Sequence, residues 1–377
     1  MLIRSRYISA ALAVLAHPAL PAQAEPPLRT LLAGFRLSAE EHNLSVIGSV
    51  AVGPDGILAI NQGQDRQVRL FSVNGKPVAT IGRRGGGPGE FQSPRRPFWR
   101  GDTLWVGDGT LNRLSAFDRN GKFLLAIPLP AAFGPQMVAP DGRRFVQPQF
   151  VTRNADGTIG LVAHLLGGDR GKSRPWLIVI NPDGALKRVG AELPDDDCIR
   201  QVGGASEVVI PYCPRALNGD SPQLGITVSA VTIMNGGQPA RFQVTARRAT
   251  GEVIYSRDYL VPVRRITAAE VAELREDDPK HPRPPEVLAF IRRSPIPDAH
   301  PPFVGVKVAP DGSAWFIRPH AIDGHYEYFG IDPTGTLIGR IRVHTESALV
   351  WANRDVAWVV ERDGDGLETL VRYRIVQ

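Results

Sequence analysis

Between positions 83 and 113 the chain gathers Arg83, Arg84, Arg95, Arg96, Arg100 and Arg113, with Trp99 and Trp105 among them. Guanidinium groups carry paired donors in one plane that match a carboxylate, a phosphate or a sulfated sugar, and arginine and tryptophan recur as anchors of binding surfaces. Arg84, Arg96, Trp99 and Arg113 are therefore the candidate ligand contacts, provided the fold gathers their loops at one place. The competing reading is a set of solvated charges balanced by Asp102, Asp108 and Asp118.

Other constellations carry less. Outside the first 24 residues the histidines stand at 42, 164, 281, 300, 320, 325 and 344, and none falls into a zinc-finger or metallohydrolase spacing. His320 and His325, on either side of Asp323, are the best metal candidates, although a pair next to an Asp-Gly turn more commonly ends in solvent. Asp363-Gly-Asp-Gly366 with Glu368 is a fragment of an oxygen-ligand calcium loop that a tight turn explains better. The glycines from Gly82 to Gly89 lack the Gly-Lys-Ser/Thr ending of a phosphate loop and precede prolines rather than a helix. No Gly-x-Ser-x-Gly elbow is present.

The compartment is written in the first 24 residues: Arg4 and Arg6, an apolar run from Ile8 to Leu15, and an Ala-Gln-Ala ending at Ala24. That pattern predicts a secretory signal peptide cleaved after Ala24, and hence a periplasmic or secreted protein with no membrane span. Cleavage removes two arginines and no acids, taking the formal net charge from +6 to +4. With acids interspersed among the bases and no dense basic block, nucleic acid is not an expected partner. Cys198 and Cys213 are the only cysteines, and in an oxidising compartment they are expected to form a disulfide.

The elements that must position these residues repeat. Ala51-Val-Gly-Pro-Asp-Gly-Ile-Leu-Ala-Ile60, Val138-Ala-Pro-Asp-Gly-Arg-Arg-Phe-Val146 and Val308-Ala-Pro-Asp-Gly-Ser-Ala-Trp-Phe-Ile317 each read as two short strands around a turn. Partner hairpins carry Asn-Gly or Pro-Asp-Gly at Asn74-Gly75, Asn120-Gly121 and Pro182-Asp-Gly184, where a two-residue turn with glycine at positive φ is expected. Gly56, Gly101 and Gly142 lie 45 and 41 residues apart, a propeller-blade period.

The fold class expected is all-β: a six-bladed propeller of four-stranded antiparallel blades, forming a single domain over 25–377. The blades fall at about 48–90, 91–133, 134–192, 193–262, 295–344 and 345–377. The last has three strands at most, and Leu31 to Leu37 is the expected closing strand from the N-terminal side. A short helical insertion is expected near 266–293, where Thr267 and Glu270 have capping-box spacing.

Ile81-Gly-Arg-Arg-Gly-Gly-Gly-Pro-Gly-Glu-Phe91 resembles the connector of NHL-like six-bladed propellers, and the Ile266-Thr-Ala-Ala-Glu270 segment resembles exported bacterial propellers of uncharacterised function. The resemblance implies the fold and little of the chemistry, because such propellers include protein binders, RNA binders and lyases. The expected activity is binding rather than catalysis: recognition of a protein, peptide or glycan at one end of the ring by a monomer without a cofactor. The alternative is a metal-assisted hydrolase or lyase with calcium or zinc in the central channel. Gluconolactonase-type propellers use Glu, Asn and Asp there, and Asn61, Asn112, Asp108 and Asp355 match in residue type.

Overall fold

The computed structural model describes residues 25–129, 137–139, 141–165, 175–195, 198–202, 206–234, 240–277 and 282–377. Residues 1–24, where a signal peptide is expected, lie outside them, as does His281.

Six four-stranded antiparallel sheets form the blades. The first runs through Val50–Val52, Leu58–Gln62, Gln67–Phe71 and Pro77–Ile81. The next four occupy 94–128, 145–192, 217–261 and 305–344, each with its strands hydrogen-bonded in sequence order. The sixth takes three strands from 348–376 and its fourth from Thr30–Ser38, which pairs with Glu368–Val376. That pairing satisfies two sheet edges that would otherwise stand open.

The hairpins differ from expectation in their turns. At 118–122 the Asp118 N–H donates to the Lys122 carbonyl and the Gly121 N–H to the Asp118 carbonyl, with Gly121 at φ +81° and a register shift in the strands just before. This is a type I turn followed by a left-handed glycine bulge, not a two-residue turn. The same bonds recur at 72–76, 181–185 and 332–336. A type I turn alone would splay the strands, and the glycine restores their twist. An aspartate adds to the closure, as where Asp332 Oδ1 accepts the Thr334 and Thr336 N–H groups at 2.9 Å each.

Each blade buries one face against the next, so the core is a ring of inter-blade clusters. Leu70, Phe91, Trp99 and Val106 lie between the first and second blades, and Trp105, Phe145, Leu161 and Ile178 between the second and third. Among the described residues, the third and fourth blades share only Val151, Leu177, Leu193 and Ala249 as a buried cluster. There glycines let the backbones themselves meet: a Cβ on Gly160 would lie 2.6 Å from that of Ala249, and one on Gly251 would lie 2.7 Å from the Gly190 carbonyl carbon.

In such a blade the first and third turns lie at one end of the ring, and the second turn and the outgoing connector at the other. The departures from the repeat lie in the connectors. Residues 193–216 carry a separate hairpin, Ile199–Val202 with Ser206–Val209, enclosed by the Cys198–Cys213 disulfide. The cysteines therefore sit outside the fourth blade, whose strands begin at Leu217. Residues 262–304 carry α1 (Ala268–Arg275) and α2 (Pro285–Arg293). The capping box is formed: Glu270 N–H donates to Thr267 Oγ1 and Thr267 N–H to Glu270 Oε2. α2 buries Val287 and Ile291 against Val208 of the hairpin, with Leu274 of α1 packed beside them. Two connectors thus form one packed body.

Candidate functional site

The glycine-rich connector is a rigid strap. Glu90 accepts the Gly87 N–H at 2.8 Å and pairs with Arg83, while Arg113 donates to the carbonyls of Gly86, Gly87 and Glu90 at 3.0, 2.6 and 2.6 Å. Buried Asp108 accepts four backbone N–H groups, from Gln92, Ser93, Thr110 and Leu111, and so locks the strap's end to the following turn. The strap fixes the start of Pro94–Arg100, the innermost strand of the second blade.

In that strand the pairing with Thr103–Asp108 shifts between Arg95 and Phe98, and Arg96 adopts φ +45°. A long side chain in this region costs roughly 1–2 kcal/mol, and such residues persist where the surroundings fix them. Consecutive strand residues normally face opposite sides; a bulge re-aims one of them. Arg95 and Arg96 consequently line the same cleft, a cavity of about 490 Å³ between the second and third blades. Its apolar wall includes Phe98 and Phe150, stacked at 5.2 Å, with Leu129 and Leu161. Arg96 Nη2 lies 3.3 Å from Asp220 Oδ2 on the innermost strand of the fourth blade. Burial pushes the Asp220 carboxyl above its ordinary range, and the Arg96 charge opposes that shift.

Arg96, Phe98, Gln149 and Pro222 also line the central channel, a cavity of about 580 Å³, so cleft and channel share a wall. Ser49, just before the first blade's innermost strand, and Asn218, Lys307 and Trp351 on the innermost strands of the fourth, fifth and sixth blades also line the channel, with Arg362 and Glu368 paired at 2.7 Å.

The four candidate contacts separate on this geometry. Arg96 is in the cleft wall, whereas Arg84 is exposed on the strap, where it bridges Phe91 through the backbone. Arg113 is committed to the strap's carbonyls. Trp99 is fully buried between the first two blades, its ring 2.6 Å from where a Gly53 side chain would begin, and offers no ligand surface. Asn61, Asn112, Asp108 and Asp355 do not line the channel. Asn61 Nδ2 donates to the Pro94 carbonyl, and Asp108 is spent on amide groups. Asp363 Oδ1 accepts the Asp365 and Leu367 N–H groups, closing a turn.

His320 and His325 take different partners. His325 stacks edge-on with His344 at 5.4 Å, while His320 meets His300 at 4.1 Å, and no group of three or more metal-type ligands assembles among the described residues. Arg264 Nη2 lies 2.5 Å from Glu270 Oε1, 2.8 Å from His300 Nε2 and 3.0 Å from His320 Nε2. Tyr212, at φ +55° beside Cys213, stacks on His300 at 4.6 Å. This cluster ties the helical connector to the fifth blade and borders a cavity of about 430 Å³. Sequence spacing missed it because its members come from four segments; Glu270 stood out only as a cap and His320 only beside His325, which takes another partner.

The cluster predicts an acid-sensitive stability. Burial holds His300 and His320 below the ordinary histidine value of 6.5, and neighbouring Arg264 adds to the shift. A depressed histidine contributes fully above the unfolded value and loses its contribution as pH falls below it, because the unfolded chain binds the proton first. Arg264 holds Glu270 well below the usual carboxylate range, which acts in the same direction at more acid pH. The melting temperature should therefore fall between about pH 7 and 5, with a shallower fall in His320→Gln. An unchanged slope in that variant would remove His320 from the account.

No known family model matches the sequence, and no curated protein matches it. Among solved structures it is similar to a DUF4221 family member from Bacteroides vulgatus, at 11% identity and a TM-score of 0.53, covering 92% of this chain and 98% of that one. A putative exported protein from Bacteroides fragilis aligns at 10% identity and a TM-score of 0.45 over 94% and 98% of the two chains. Virginiamycin B lyase from Staphylococcus aureus aligns at 12% and 0.40 over 92% and 100%. No described helix is long and apolar enough to cross a membrane. The chain is a six-bladed β-propeller that shares its fold with the DUF4221 protein.

Proposed function

We propose that this is an exported, non-enzymatic binding propeller that recognises a protein, peptide or glycan on the connector end of its ring. The observation that carries the reading is the concentration of non-repeating structure there: the strap of 82–93, the disulfide-enclosed hairpin and the α1–α2 pair all belong to connectors. Loops on a rigid scaffold are where binding residues collect. The cleft of Arg95 and Arg96 opens beside one of these connectors, and the channel beside the cleft. Export is supported by the N-terminal pattern and by the disulfide, which persists in oxidising compartments.

The test is occlusion. Mature protein is screened against a peptide display library and a glycan array, and each ligand found is re-measured on protein carrying a polyethylene-glycol maleimide. Attachment at Gln64→Cys or Gly364→Cys, in exposed second turns, should abolish binding, whereas attachment at Asn74→Cys at the opposite end should not. The reverse pattern, or no ligand from either collection, would overturn the reading.

A further inference from the structure

The cleft between the second and third blades has a composition that narrows its ligand. We infer that it takes the C-terminal carboxylate of a peptide whose last side chain is aromatic or aliphatic, the carboxylate on Arg95 and Arg96 and the side chain against Phe98 and Phe150. This inference rests on the binding reading above and specifies the ligand of that end.

The first support is the bulge. A regular strand would send Arg95 and Arg96 to opposite faces, and the left-handed backbone at Arg96 brings both into one cavity. Their donors are largely uncommitted. Arg95 makes one long contact, from Nε to Ser93 Oγ at 3.4 Å, so both of its Nη groups remain for a ligand. Arg96 uses Nη2 alone, on Asp220. Two guanidinium groups on one wall match the two oxygens of a carboxylate.

The second support is the state of the acids. A neutral sugar needs acceptors for its hydroxyl protons, and the one carboxylate among the residues lining the cleft is Asp108, while Asp220 lines the adjoining channel and pairs with Arg96. Asp108 accepts four amide N–H groups, and Asp220 accepts Arg96 and Thr227 Oγ1. Asp108 is thereby saturated, and Asp220 is engaged by Arg96. A sulfated sugar would satisfy the arginines but leave the apolar wall of Phe98, Leu129, Phe150 and Leu161 facing a polar ring. At about 490 Å³ the cavity has room for a terminal residue and its neighbour, not for a folded partner's surface.

The experiment uses fluorescein-labelled pentapeptides ending in Phe or Leu, each as free acid and as C-terminal amide, measured by fluorescence anisotropy on the mature protein. The free acids should bind, and the amides about ten- to hundredfold more weakly, the loss expected when a charged hydrogen-bonding partner is removed. Arg95→Ala should cause a similar loss for the acids and none for the amides, with an unchanged melting curve because Arg95 has little structural commitment; Arg95→Lys should recover part of the affinity. Equal binding of acid and amide, or acid binding indifferent to Arg95→Ala, would overturn the inference. If such peptides bind equally in both forms and are blocked by the connector-end label, the inference fails and the binding reading stands. If free acids bind but the label at Asn74→Cys is the one that blocks them, the binding end itself is wrong.

Discussion

Alanine in place of Glu327 should destabilise the protein by about 3–5 kcal/mol, the range for removing one partner from a buried charge network. Glu327 is 1% exposed in the third strand of the fifth blade. Its Oε1 lies 3.1 Å from both Arg318 Nε and Arg340 Nη1, and its Oε2 lies 3.6 Å from Arg342 Nε. Among the described residues the other acid in the network is Glu25, at 2.8 Å from Arg318 and 2.7 Å from Arg340. Without Glu327, the mostly buried Arg318 and Arg340 would share Glu25, and Arg342 would lose its pairing with Glu327. Arg340 also donates to the Pro26 carbonyl, and its backbone bonds Pro27 and Arg29, so the loss should free the segment ahead of the closing strand. Urea unfolding with limited proteolysis near residues 25–29 reads both effects. Glu327→Gln keeps the volume and removes the charge; a glutamine variant as stable as the parent would show that packing, not charge, is what Glu327 supplies.

The ring was legible because its signals are local. Each hairpin needs one residue at positive φ, and Gly75, Gly121 and Gly335 occupy that position at φ +77°, +81° and +81°. Near-continuous burial along Leu58–Gln62 and Gln67–Phe71 follows from stacking of blades on both faces. The turn type was less legible, because Asn-Gly serves both a two-residue turn and a type I turn with a bulge. The hairpin at 199–209 was illegible as a unit: it packs on α2 through Val208, a tertiary contact that no spacing within Ile199–Val202 announces.

The site was legible only in residue type. Arg96 and Trp99 are three positions apart in one strand, yet one lines a cavity and the other is core, and the bulge that separates their fates is marked in the sequence only by Pro97, which cannot donate to a strand ladder. Arg113 looked like Arg96, and what distinguishes it is a set of carbonyls more than twenty residues away. The partner that orients Arg96, Asp220, is 124 positions distant. His300 and His320 converge because a connector folds back on the fifth blade. Convergence of this kind is set by ring closure, which no pairwise spacing encodes.

Phe91→Ala should cost about 3–5 kcal/mol, comparable to other buried aromatic truncations. Phe91 is fully buried in the cluster between the first two blades, its ring 5.9 Å from that of Phe117. Its backbone also closes the strap, donating to the Arg83 carbonyl at 2.8 Å and accepting the Gly85 N–H at 3.1 Å. The side chain explains Gly82: a Cβ there would lie 2.3 Å from Phe91 Cδ2, and Gly82 is at φ +84°. Two penalties therefore oppose a side chain at 82, one from the backbone and one from the ring. Only the second depends on Phe91. Gly82→Ala should thus destabilise the parent strongly and the Phe91→Ala background less, because the truncated site leaves room for the new methyl group. The difference measures the steric share, and coupling between contacting residues falls at about 0.5–3 kcal/mol. Strict additivity in urea unfolding of the four proteins would mean that backbone conformation alone, and not the Phe91 ring, reserves position 82 for glycine.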